Sequence, residues 1–226
     1  MIVVPGPASQ SLGQKIAETL NAQIVSVNLK SFPDGEYCLR FEGDLAGEEV
    51  VLVQSTGPPQ DTNVMQLLLM LDTAKDLEAE KVTAVVPYLA FARQDKRFLP
   101  GEVISAETIV KLIEACGTDQ FITVNIHSEK TLKQLSIPAE NLSAITSLAE
   151  HFKNRGLEGA FSLSPDKGAV EWAEEADRVL GGGCGWLRKE RDRYTGEIQV
   201  EEKSLNVKGR DVIVFDDIIS TGGTIA

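Results

Sequence analysis

Apolar residues along this chain follow two rhythms. Short continuous runs, rich in β-branched side chains, fall at residues 2–4, 24–27, 50–54, 82–87, 121–126, 159–163 and 212–215. Runs of that length and continuity predict strands buried on both faces. Between them the spacing becomes helical. "SQSLGQKIAETL" places Leu12, Ile16 and Leu20 on one face, and "TNVMQLLLMLDTAKDLEA" extends the same pattern. "SAETIVKLIEACG" opens on Ser105 as a predicted cap and stops at Gly117, and "AVEWAEEADRVLGGG" also ends in glycine. Strand and helix in alternation predict βαβ units around a parallel sheet, an α/β fold. One stretch differs: "GWLRKERDRYTGEIQVEE" predicts two antiparallel strands joined around Tyr194, Thr195 and Gly196. The segment "SIPAEN" separates two α/β halves, which sets a domain boundary at Leu142 and gives domains 1–142 and 143–226.

Composition narrows what such a fold could bind. With 226 residues, 42% hydrophobic and 25% charged, the chain can build one large core or two smaller ones. Its net charge of -12 repels polyanions, so neither nucleic acid nor an anionic membrane is an expected partner. A phosphate ligand would need local N–H donors, a few placed cations or a metal. Cys38, Cys116 and Cys184 lie far apart without a Cys-x-x-Cys pair, which fits a reducing compartment. "MIVVPGPASQ" carries no basic leader, and "VMQLLLML" is interrupted at Gln66 and stopped by Asp72. The expected location is cytoplasmic.

The chemistry concentrates in loops that follow strands. In "DDIISTGGT", Gly222 and Gly223 let the backbone turn its N–H groups toward an anion, while Ser220, Thr221 and Thr224 add hydroxyl donors. Asp216 and Asp217 at the strand end suit vicinal sugar hydroxyls or a hydrated Mg2+. "ARQDKR" gathers Arg93, Lys96 and Arg97 after the 82–87 strand, either as a ligand loop or as solvated surface. His127 ends another strand, whereas His151 reads as a helix-surface residue. "FPDGEY", with Phe32, Asp34 and Glu36, is standard turn chemistry. Asp166 in "SPDKG" reads equally as a helix cap or a ligand. Lys189, Arg191 and Arg193 make the projecting hairpin basic.

Residues 212–224 resemble the 5-phosphoribosyl 1-diphosphate (PRPP) binding motif shared by type I phosphoribosyltransferases and ribose-phosphate pyrophosphokinases. The ordered set FPDGE, ARQDK, IHSEK, SPDKG, KER and DDIISTGGT resembles the latter family over nearly the whole chain, its compact archaeal type most of all. That resemblance implies two phosphoribosyltransferase-like (type I) domains, each a mostly parallel sheet flanked by helices. It also implies diphosphoryl transfer from ATP to ribose 5-phosphate with Mg2+, yielding PRPP and AMP. The implied ATP contacts are Phe32, Asp34, Glu36, Arg93, Gln94 and His127. Asp216, Asp217, Ser220, Thr221, Gly222, Gly223 and Thr224 would hold ribose 5-phosphate, His127 and Asp166 the metal, and Lys189 and Arg191 would be catalytic. The family's FPDGE segment completes a neighbouring subunit's ATP site, which implies a homo-oligomer. The resemblance departs at Asn125, where many relatives carry aspartate, and family members continue past the position of Ala226. The rival readings are a phosphoribosyltransferase that consumes PRPP and a non-catalytic, nucleotide-binding regulatory paralogue.

Overall fold

The computed structural model describes residues 1–191, 198–201, 205 and 207–219, with 188–191 and 198–201 given as backbone only. Its Cα framework divides into two units, Met1–Leu142 and Ser143–Ala226.

In the first unit, β1 (Ile2–Pro5), β2 (Gln23–Ile24), β5 (Glu49–Val53), β6 (Lys81–Val86), β7 (Gln120–Val124) and β8 (Ala139–Leu142) form one sheet. The strand order is β2-β1-β5-β6-β7-β8 and every pairing is parallel. Helices α1 (Gln10–Leu20), α2 (Gln60–Asp76) and α3 (Ser105–Ala115) make the crossovers. Because successive strand residues point to opposite faces, a continuous apolar strand serves two cores at once. In β1, Val3 packs with Val53 and Ala17 of α1, whereas Ile2 and Val4 join Leu67, Met70 and Leu71 of α2 and Val110 and Ile113 of α3. Helices therefore cover both faces, as a parallel sheet requires.

Two sequence expectations need correction here. The strand expected at 24–27 is divided: β2 stops at Ile24, Val25 donates one more hydrogen bond to the Val3 carbonyl at 3.1 Å, and the chain then leaves the sheet. It continues as β3 (Val27–Ser31), which pairs antiparallel with β4 (Tyr37–Phe41) in a separate two-stranded ribbon. Ser105 is the first helical residue of α3 rather than its cap. Its hydroxyl donates instead to the carbonyl of Phe91 at 3.3 Å.

The second unit holds a parallel sheet of order β10-β9-β13, made of β9 (Phe161–Ser164), β10 (Cys184–Trp186) and β13 (Val212–Val214). Its core joins Ile145 and Ala149 of α4 (Ile145–Phe152), Ala176 and Leu180 of α5 (Val170–Leu180), Ala160, Ile213 and Phe215. The basic stretch forms the expected antiparallel pair, β11 (Arg188–Arg191) with β12 (Ile198–Glu201). No described helix is long and apolar enough to cross a membrane.

Candidate functional site

In an open parallel sheet the loops beyond the carboxyl ends of the strands are where ligands bind. In the first unit a buried polar layer supports those loops. Gln54, fully buried just after β5, accepts the Ala8 N–H at 3.0 Å and donates to the Gln66 side chain at 3.4 Å. Thr56, also fully buried, donates its hydroxyl to the Tyr88 carbonyl and accepts the Ala90 N–H, both at 2.7 Å. These bonds satisfy groups that burial would otherwise leave unpaired, and they anchor the start of the long β6–α3 connection.

That connection carries Arg93 and Gln94. Phe91 adopts a left-handed backbone with φ 64°, uncommon for a bulky residue and typical of tightly determined functional loops. Arg93, Lys96 and Arg97 are exposed, and Lys96 lies 5.2 Å from the centre of the Phe98 ring. Gln94 is half-buried, and its amide donates to the Lys96 carbonyl at 3.1 Å and to Glu102 Oε2 at 3.3 Å. The same Glu102 oxygen accepts the Phe98 N–H at 2.7 Å and the Leu99 N–H at 3.0 Å, while the Glu102 carbonyl accepts Arg97 Nε at 2.9 Å. The Leu99 and Phe98 amides hold the Glu102 carboxyl below its ordinary range. Nothing in the hydrophobic pattern marks Glu102, because most of its partners are backbone groups.

His127 is exposed beyond the end of β7. Asn125, two residues earlier, has φ 43°, a conformation asparagine tolerates better than most residues, and donates its N–H to the Leu142 carbonyl at 2.9 Å. Phe32, Asp34 and Glu36 occupy the exposed tip of the β3–β4 ribbon. There Phe32 N–H bonds the Glu36 carbonyl at 2.8 Å, and Glu36 N–H bonds Asp34 Oδ1 at 3.1 Å around Gly35 at φ 95°. The structure thus groups Arg93 with Gln94 on one loop and Phe32 with Asp34 and Glu36 on one turn.

In the second unit β9 and β13 are neighbours, so their trailing loops share one edge. Asp166 caps the turn that leads into α5, accepting the Gly168 N–H at 2.7 Å, while the Ser164 hydroxyl donates to the Asp166 carbonyl at 2.6 Å. Phe215 N–H bonds the Leu163 carbonyl at 2.9 Å, which carries the pairing to the doorstep of Asp216. Asp217 N–H donates to Asp216 Oδ1 at 3.0 Å. Burial, the Asp217 carboxyl hydrogen-bonded to it, and the charges of Asp217 and Asp166 together push Asp216 up to about 6. Like charges gathered in a half-buried place are a frequent mark of a binding site for cations or hydroxyl-bearing ligands. Among the described residues no three His, Cys, Asp or Glu side chains form a metal cage.

Lys189 and Arg191 stand on β11 opposite Val200 and Ile198. Ser220, Thr221, Gly222, Gly223 and Thr224 lie outside the described residues, as do Arg193, Tyr194, Thr195 and Gly196.

Two α/β units with ligand-competent strand ends, the second closing on paired acids, define a chain of phosphoribosyltransferase-like architecture. Known proteins narrow the class. Residues 1–117 match the N-terminal domain of ribose phosphate pyrophosphokinase, and residues 135–226 match the phosphoribosyl transferase domain. The ribose-phosphate pyrophosphokinase of Methanobrevibacter smithii is 43% identical over 99% of this chain and 78% of its own length. That of Saccharolobus solfataricus is 38% identical over 100% of the chain and 77% of its own. The crystal structure of phosphoribosylpyrophosphate synthetase from Mycobacterium smegmatis superposes with a TM-score of 0.85 at 30% identity, covering all of this chain and 73% of that one. The chain belongs to the ribose-phosphate pyrophosphokinase family.

Proposed function

We propose that this chain is a ribose-phosphate diphosphokinase that moves the β,γ-diphosphoryl group of ATP to the anomeric hydroxyl of ribose 5-phosphate, forming PRPP and AMP. One observation carries the reading: the first half matches the N-terminal domain of ribose phosphate pyrophosphokinase, for which an enzyme joining PRPP to a base has no use. The anomeric oxygen attacks the β-phosphorus, the bond from that phosphorus to the α,β-bridging oxygen breaks, and the hydroxyl proton passes to solvent.

The protein's share of this reaction is placement and charge. Asp216 and Asp217 accept hydrogen bonds from the ribose hydroxyls, and Ser220, Thr221, Gly222, Gly223 and Thr224 hold the 5-phosphate. Arg93, Gln94 and His127 hold the triphosphate. Phe32, Asp34 and Glu36 contact the adenine, in a homo-oligomer that completes each ATP site from a neighbouring copy. Lys189 and Arg191 stabilise charge developing on the transferred group. The oxygen donors around Asp216 suit a hydrated Mg2+ arriving on the substrate phosphates better than an all-protein cage. His127 and Asp166 would help hold such an ion, and when bound it would neutralise phosphate charge. A cytoplasmic location fits this chemistry.

The test is product analysis. Mg-ATP with ribose 5-phosphate is expected to give AMP, and Lys189→Ala to lower turnover by about a hundredfold or more. ADP as product would replace this reaction with ordinary kinase chemistry, and undiminished turnover in Lys189→Ala would remove β11 from the mechanism.

A further inference from the structure

We propose that Glu102 is a positioning residue that shapes the arginine-bearing β6–α3 connection for nucleotide. The proposal rests on Arg93 and Gln94 holding ATP, as argued above.

Eighteen residues separate Val86 from Ser105, an unusual length inside a compact α/β unit and one more often functional than structural. The connection is built in two parts. In the first, Gln94 N–H bonds the Phe91 carbonyl at 3.2 Å, Ala106 N–H at the start of α3 bonds the Gln94 carbonyl at 3.3 Å, and Ser105 hydroxyl bonds the Phe91 carbonyl at 3.3 Å. Arg93 is caught between these fixed points. The second part, residues 97–99, turns about Glu102, which collects the Phe98 and Leu99 N–H groups on its carboxylate and Arg97 Nε on its carbonyl. The Gln94 side chain joins the two parts, because its amide ends on that same carboxylate oxygen.

Glu102 holds this loop without engaging the Arg93 guanidinium, since it meets Arg97 through its carbonyl and the backbone through N–H donors. Arg93 stays exposed while the backbone around it is held. Hydrogen bonds to an ionised acceptor are about twice as strong as neutral ones.

The test separates positioning from general support. Glu102→Ala is expected to raise the KM for Mg-ATP about tenfold, with the KM for ribose 5-phosphate within about twofold of the parent. Glu102→Gln keeps an oxygen acceptor without the charge and is expected to recover part of the affinity. Glu107→Ala, removing a neighbouring carboxylate that pairs with Lys111 on α3, is expected to change neither constant. Equal rises in both constants, or an unchanged KM for Mg-ATP in Glu102→Ala, would overturn the proposal. Calorimetric titration with Mg-ATP keeps this distinct from the reaction itself. Glu102-dependent binding by a parent chain that forms no AMP would sustain the positioning role and sink the diphosphokinase reading. A parent chain that binds no Mg-ATP would sink both.

Discussion

Asp216→Asn should make the protein more stable and less able to hold its sugar. Asparagine keeps the Oδ1 that accepts the Asp217 N–H and nearly the same shape, and removes one of the negative charges gathered at this sheet edge. The sign follows from proton linkage. Asp216 titrates at about 6 in the folded chain, against 3.8 ordinarily. Between those values the unfolded chain has released this proton and the folded chain has kept it, so stability falls as pH rises through the window and levels off above it. Full expression of that difference is about 3 kcal/mol. Solvent around the half-exposed carboxyl screens it to about 1 kcal/mol. Asparagine should therefore match the parent at about pH 4 and exceed it by about 1 kcal/mol at about pH 7.5 in urea melts without divalent cation. Both tryptophans, Trp172 and Trp186, lie in the second unit, so their emission reads the relevant transition. Added ribose 5-phosphate should raise the midpoint of the parent and leave that of the variant nearly unchanged. A variant no more stable than the parent at about pH 7.5, or a gain independent of pH, would refute the electrostatic account.

Further predictions concern the first unit, where circular dichroism should register the loss while tryptophan emission stays still. Leu67→Ala empties a fully buried position between sheet and α2 and should cost about 2–5 kcal/mol; a loss under about 1 kcal/mol would mean the core refills the space. Asp119→Ala removes a carboxylate oxygen that takes both Lys75 at 2.7 Å and the Val82 N–H at 2.6 Å, and should cost about 1–2 kcal/mol by urea titration. Gly117→Ala must adopt φ 90° and would drive its Cβ into Lys75 Cγ. It should cost about 1–3 kcal/mol and largely lose additivity with Asp119→Ala, since both act through Lys75.

The parts of the fold legible in the chain were those where burial imposes a period. Continuous apolar runs marked β1, β5, β6, β7 and β13, and i, i+4 spacing marked the helices, because each element buries a predictable set of positions. The β3–β4 ribbon escaped notice because β3 is exposed at four of its five positions, and the alternation of half-buried Tyr37, Leu39 and Phe41 in β4 is too short to stand out alone. Asp216 and Asp217 stood out as adjacent acids, yet the upward push on Asp216 depends partly on Asp166, fifty residues distant and near only through the pairing of β9 with β13. Glu102 was hidden for a different reason: an acceptor of backbone N–H groups leaves no signature in the identities of its partners. The family resemblance rested on short loops, and those are where one chain differs most informatively from another of the same fold.

Among the described residues the two cores are unequal in size. One sheet spans six strands with helices on both faces, whereas the described sheet of the other has three strands and a short apolar list composed partly of alanines. Local opening should accordingly come at lower free energy in the half that bears Asp216 and Asp217. Occupancy there would act as a structural brace as well as a step in turnover, so amide exchange in that half should slow with saturation while the larger half hardly responds.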